Sequence, residues 1–105
     1  MAQFDIYKNP NTRTKKAYPY ILDVQNPIIS DIGTRITIPL GKLNNFKNLA
    51  MVRLTPEIIF NDEKLLLLTP QIAAIPTSLL KNPVGSLILF RDEIISSIDF
   101  AITGV

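Results

Sequence analysis

The residues whose types and spacing could carry chemistry are few. Two carboxylate pairs, Asp62-Glu63 and Asp92-Glu93, are the nearest approach to a metal or acid–base site, and Lys8, Arg13, Lys15 and Lys16 form a run of cations. The 105 residues contain no His and no Cys. Their absence removes Ser-His-Asp and Cys-His nucleophiles and the usual zinc sites. Four glycines make no phosphate-cradling loop. Each carboxylate pair is adjacent in sequence, which reads as a turn at 62–63 and a helix N-terminus at 92–93. Neither catalysis nor a cofactor or metal is expected. The four cations fall in nine residues with no acid among them. By itself such a run reads as a solvated, mobile loop.

The end of the chain is the more informative feature. Residues 86–102 read as an amphipathic helix, followed only by Thr103-Gly104-Val105. At about 100° per residue, Phe90, Ile94, Ile98 and Ala101 share a stripe, widened by Leu87, Ile88, Ile95 and Ile102. Leu89 and Phe100 fall on the polar arc with Asp92, Glu93, Ser96 and Asp99. Phe100 suits either a neighbouring strand or a partner surface. Arg91 projects into the apolar stripe, where it either snorkels from the first turn or enters a buried ion pair. An end this apolar is expected to be tucked into a core or shaped for a partner.

Composition bounds the rest. One domain spanning 1–105 is expected at this length. Apolar residues make up 47%, more than a chain this small needs, and a dimer would bury the excess. A net charge of +2 is too small to announce a nucleic-acid binder. The opening residues have neither the basic nor the apolar region of a signal peptide. No apolar run approaches the ~20 residues that span a bilayer. With no cysteine, the cytoplasm is the expected compartment.

Strands are expected before the helix. Phe4 and Ile6 alternate with Gln3, Asp5 and Tyr7, as in a half-buried strand. Tyr20, Leu22 and Val24 alternate with Ile21, Asp23 and Gln25 across 18–25. In 34–40, Ile36, Ile38 and Leu40 share a face, and Pro39 predicts an edge or a strand end. Asp31-Ile32-Gly33 reads as a turn, and 41–50 as an irregular connection. Residues 54–60 and 64–69, around Asn61-Asp62-Glu63, read as a hairpin. Leu65–Leu68, apolar on both faces, suggest a central strand, with helix as the alternative. Pro70, Pro76 and Pro83 break up the stretch between that strand and the terminal helix. Strands succeeded by one helix predict an α+β fold, a small antiparallel sheet or partly closed barrel.

Several blocks then carry a resemblance: Gln3-Phe4-Asp5-Ile6-Tyr7, Asp23-Val24-Gln25 with Ile28-Ile29, Thr34-Arg35-Ile36-Thr37-Ile38-Pro39-Leu40, Leu68-Thr69 through Ile75-Pro76, Asp92 through Asp99, and the ending Gly104-Val105. In order, spacing and end point the chain resembles the CcdB-type toxins of bacterial toxin–antitoxin pairs over nearly its whole length. The resemblance implies a homodimer with an SH3-like antiparallel β-barrel or sheet and a C-terminal α-helix. It implies a bacterial cytoplasmic protein that binds the DNA gyrase A subunit and holds the enzyme on cleaved DNA, with no direct nucleic-acid contact and no membrane.

Family contacts carry over to Ile102, Thr103, Gly104 and Val105, with Asp99, Asn26 and Ile28 beside them. The best-known member has Trp at the position of Thr103, stacked on a gyrase arginine, an anchor that Thr cannot supply. Without the resemblance, Gly104 simply terminates the helix. Likewise Ile28 and Ile29, after Asn26-Pro27, would plug the barrel end. The resemblance also implies neutralisation by an acidic, partly disordered CcdA-like antitoxin, for which Lys8, Arg13, Lys15 and Lys16 offer a landing site. Two alternatives stand. One is a MazF-like RNA-cleaving toxin, which works without His and would use Arg35 and Thr37 on one strand face. The other is a non-toxic CcdB-like antitoxin ligand and co-repressor.

Overall fold

The computed structural model describes residues 2–28 and 32–104. Ile29, Asp31 and Val105, named above, lie outside the described residues. Seven antiparallel strands form one curled sheet: β1 (Asp5–Lys8), β2 (Tyr20–Asp23), β3 (Thr34–Lys42), β4 (Glu57–Phe60), β5 (Glu63–Leu67), β6 (Ala73–Pro76) and β7 (Gly85–Ser86). The order is β4-β5-β3-β2-β1-β7, with β6 also on β3. One helix, α1 (Arg91–Thr103), closes the half-barrel. This is the expected α+β, SH3-like arrangement.

The hairpin arises from local chemistry. Asn61 and Asp62 both take positive φ, 51° and 60°, as a two-residue turn matched to strand twist requires. Phe60 faces Glu63, so Glu63 belongs to β5 rather than to the turn. β5 pairs with both β3 and β4. It is the central strand that Leu65–Leu68 suggested, and its leucines are buried.

β3 overturns one expectation. Pro39 lies inside the longest strand, paired on both sides, instead of at an edge. Residues 34–37 of β3 face β6 and residues 40–42 face β5, so Pro39 falls where the partner changes. Its carbonyl accepts the Leu68 N–H at 3.0 Å. Backbone donor and acceptor of one strand residue point the same way, so the missing N–H faces the gap between β5 and β6. No ladder bond is lost there. Beyond Lys42, two short 3₁₀ turns, Leu43–Asn45 and Lys47–Leu49, form the connection read as irregular.

The main core lies between the sheet and α1. Register puts Ile6, Leu22 and Ile38 in one row and Leu40 beside Leu67, and Leu87 and Ile94 pack on them. Each such side chain contributes roughly 1.5–3 kcal/mol on full burial. Ile36, expected in this row, is exposed at the end of β3.

The opposite face is also covered. Tyr7, Ile21 and Leu80 form a second cluster, so β1 and β2 are buried on both sides rather than half-buried. Alternation could not reveal this, because the covering segment is distant in sequence.

The terminal helix starts later than its periodicity suggests. Ser86 pairs with Asp5 in the sheet, Ile88–Phe90 form a 3₁₀ turn, and α1 begins at Arg91. Asp92 and Glu93 occupy its first turn, where the helix dipole favours acids. Ile94 is buried and Phe90, Ile95 and Ile98 are half-buried, but Ala101 and Ile102 are exposed. The apolar stripe therefore runs past the end of the core. Ser97, fully buried, shares a 2.9 Å hydrogen bond with Thr69 and donates to the Ile94 carbonyl at 2.8 Å. Among the described residues no helix is long and apolar enough to cross a membrane.

Candidate functional site

The last turn of α1 gathers four of the sequence-predicted residues. Asp99, Ile102, Thr103 and Gly104 are all exposed, Ile102 at 70%. The Thr103 hydroxyl donates to the Asp99 carbonyl at 2.6 Å. Gly104 takes φ 77° and its N–H donates to the Phe100 carbonyl at 3.0 Å, a left-handed cap that a side chain would disfavour. So Gly104 does terminate the helix. The cap also holds the preceding residues in a defined, water-facing turn.

Asn26 and Ile28 make a corner after β2. The Asn26 side-chain oxygen accepts the Ile28 N–H at 2.9 Å, an Asx turn around Pro27. Ile28 stands out at 88% exposure; it does not plug the barrel. Among the described residues no hydrogen bond or ion pair joins this corner to the end of α1. An isoleucine held into water by a turn is suited to contact with a partner.

Phe100 is half-buried, and Arg91 stands exposed in the first turn of α1, where the snorkelling alternative placed it. The Arg53 guanidinium lies 4.7 Å from the centre of the Phe100 ring, so a loop cation covers that ring. Such contacts contribute about 0.5–1 kcal/mol at exposed sites. Arg91 is exposed and pairs at 3.6 Å only with its exposed neighbour Asp92, a contact worth little in water.

Arg35 and Thr37 do not face an open groove. Arg35 is 1% exposed, and its Nε and Nη2 both reach Asp23 Oδ2 at 2.8 Å. Asp23, itself 0% exposed, also accepts the Gln25 N–H on Oδ1 at 3.0 Å. The Gln25 amide oxygen accepts the Ile36 N–H at 3.1 Å, and Thr37 donates to the Ala73 carbonyl at 3.2 Å. Burial pushes the Asp23 carboxyl above its ordinary range, against the opposing pull of Arg35 and the Gln25 N–H. These groups spend their hydrogen bonds on one another. The Arg35 guanidinium is not left to stabilise a cleaving phosphate, so the MazF-like alternative loses the Arg35–Thr37 site.

The cationic loop is exposed at Lys8, Arg13, Lys15 and Lys16, and none of the four pairs with an acid among the described residues. It is folded rather than loose. Asn9 donates to Thr14 Oγ1 at 3.0 Å and to the Tyr18 carbonyl at 2.8 Å, and Asn11 accepts the Arg13 N–H at 2.9 Å. The turn array presents like charges side by side. Asp62 lies in the hairpin turn and Asp92 and Glu93 in the first turn of α1, as their adjacency suggested, whereas Glu63 opens β5. Among the described residues no three acids come together as a metal site would need.

Against known families, the family model described as CcdB protein matches residues 3–104. The chain belongs to the CcdB family. It is therefore a toxin of the toxin–antitoxin class, and an antitoxin is its partner in that general sense. The CcdB blocks map onto the fold in order: the opening block enters β1, the Arg35–Leu40 block builds β3, and the closing block is α1.

Two features of this CcdB chain escaped the sequence reading. The Asp23–Arg35 pair had a signal: opposite charges on the same face of neighbouring strands, in the Asp23↔Thr37 register. The Arg53–Phe100 contact had none, since a loop and a distant helix meet only in three dimensions.

Proposed function

We propose that this toxin acts by binding and not by catalysis. As a homodimer it lays the last turn of α1 against the DNA gyrase A subunit and holds the enzyme on cleaved DNA, in the bacterial cytoplasm. The observation that carries this reading is the exposed turn of Asp99, Ile102, Thr103 and Gly104 beyond the core. Membership of the CcdB family supports the choice of target. The occupied state of Arg35 counts against the RNA-cleaving alternative. The test is purified gyrase with supercoiled DNA, run beside a labelled RNA. The expected result is protein-dependent trapping of cleaved DNA with the RNA intact. RNA cut without trapped DNA would reverse the assignment. Neither effect, with antitoxin still bound, would establish the co-repressor alternative, which the missing Trp at Thr103 favours.

Dimerisation is supported by exposed Val52, Ile59 and Leu89, more apolar surface than a lone small domain needs. An interface of roughly 1,200–2,000 Å² is expected. Light scattering at micromolar concentration should give twice the chain mass; a monomer would remove this part of the reading.

Lys8, Arg13, Lys15 and Lys16 serve the antitoxin and not gyrase. Replacing all four with Ser should slow association with an acidic antitoxin tail and flatten its salt dependence. Growth arrest in cells lacking antitoxin should persist. Loss of toxicity in a folded variant would move the loop to the gyrase side.

A further inference from the structure

A cleft of about 380 Å³ opens beside the end of β1. Residues 7–10 line one side, and Leu79, Lys81, Asn82 and Val84 the other. Leu79 and Val84 are 46% and 39% exposed, although their neighbour Leu80 is buried in the second cluster. Lys8 and Lys81 are both exposed, and no acid lines the cleft. The cleft thus combines the aliphatic side chains of Leu79 and Val84 with the cations of Lys8 and Lys81, and is continuous through Lys8 with the basic loop.

The backbone adds a direction. Val84 donates to the Ile6 carbonyl at 2.8 Å, and β7 comprises only Gly85–Ser86. Strand residues two apart aim their backbone groups to the same side. Lys8 therefore points its N–H and C=O to the β7 side, past the Val84 bond, where β7 does not extend. An extended chain could add to the sheet edge there.

We propose that this cleft receives an acidic peptide in extended conformation, with an apolar side chain against Leu79 and Val84 and carboxylates toward Lys8 and Lys81. The proposal rests on the reading of the basic loop as an acceptor for an acidic tail and deepens it. The loop supplies long-range attraction; the cleft supplies the short-range anchor that sets residence time.

The test uses the full chain and a short fluorescein-labelled peptide, rich in Asp and Glu around one central leucine, monitored by anisotropy and stopped-flow. Leu79→Asp with Val84→Asp should weaken binding at least about tenfold, almost all through faster dissociation. Leu79→Ser with Val84→Ser, checked for its fold by circular dichroism, should act in the same direction. Arg13→Ser with Lys15→Ser and Lys16→Ser should instead slow association and leave dissociation near its original rate. Cleft variants that bind normally, while loop variants fail, would overturn the cleft and leave the loop reading standing. Indifference to both sets would overturn both. Displacement of the peptide by a single-stranded oligonucleotide of similar charge, itself weakened by the cleft variants, would also overturn it, since the site would then be one for a phosphate backbone.

Discussion

Removing Thr103, Gly104 and Val105 is expected to abolish gyrase poisoning and growth arrest while leaving the protein folded. The described bonds lost are the Thr103 hydroxyl to Asp99 and the Gly104 cap to Phe100. Both lie beyond Ile98, where α1 leaves the core. Fraying one exposed turn costs about 1 kcal/mol or less. Loss of the contact costs far more, because a dimer offers two copies and the second engagement is effectively intramolecular. That doubling would partly offset the missing aromatic anchor at Thr103. Thr103→Trp should accordingly tighten binding to a gyrase that offers an arginine, by up to ~1–2 kcal/mol. The measurement is DNA cleavage by purified gyrase with the intact, truncated and Trp-substituted proteins. Equal trapping by the truncated protein would take the site away from α1.

The second large effect is on stability. Asp23→Leu should cost about 3–5 kcal/mol, because it strands a buried guanidinium that cannot shed its proton. That is a large share of the roughly 5–15 kcal/mol that holds an ordinary domain folded. Arg35→Met should cost less, since the carboxyl left behind can take up a proton. Burial already pushes the Asp23 carboxyl up, and Arg35 is the main group opposing it. In Arg35→Met the folded value therefore rises further above that of the unfolded chain. The variant should be best off in acid and lose stability as pH rises through the folded value. Combining Asp23→Leu with Arg35→Met should recover most of the loss, because an apolar pair of similar volume needs no desolvation. Urea unfolding of the four proteins across pH checks each step. A cost below about 1 kcal/mol for Asp23→Leu would show that the pair is wet and Arg35 free to act elsewhere.

Several elements were legible because their causes are local. Asn61-Asp62 marks a turn through its tolerance of positive φ. Leu65–Leu68 suggested a central strand because a strand covered on both faces carries apolar residues on both, and the pairing of β5 on either side decided against helix. The exposed cationic loop and the Gly104 cap were legible for the same reason. The helix start was misplaced because Leu87 and Phe90 keep the helical spacing while Ser86 is held in the sheet by Asp5. Pro39 misled because its exclusion from central strands assumes a continuous partner, and β3 changes partner there.

The sequence by itself determined the kind of protein: a small α+β chain of strands followed by an apolar helix, with the ordered blocks of the CcdB family. Only the tertiary structure decided which polar residues are working surface and which are core. Asp23 and Arg35 alternate along their strands just as solvated residues would. They are buried on the same sheet face as Ile21, against which Leu80 packs. Ile28 and Ile102 look like core residues in the chain, yet a turn and a helix that outruns the sheet hold them in water. Burial is a property of what lies on the far side of a residue, and in this fold that neighbour comes from a distant part of the chain.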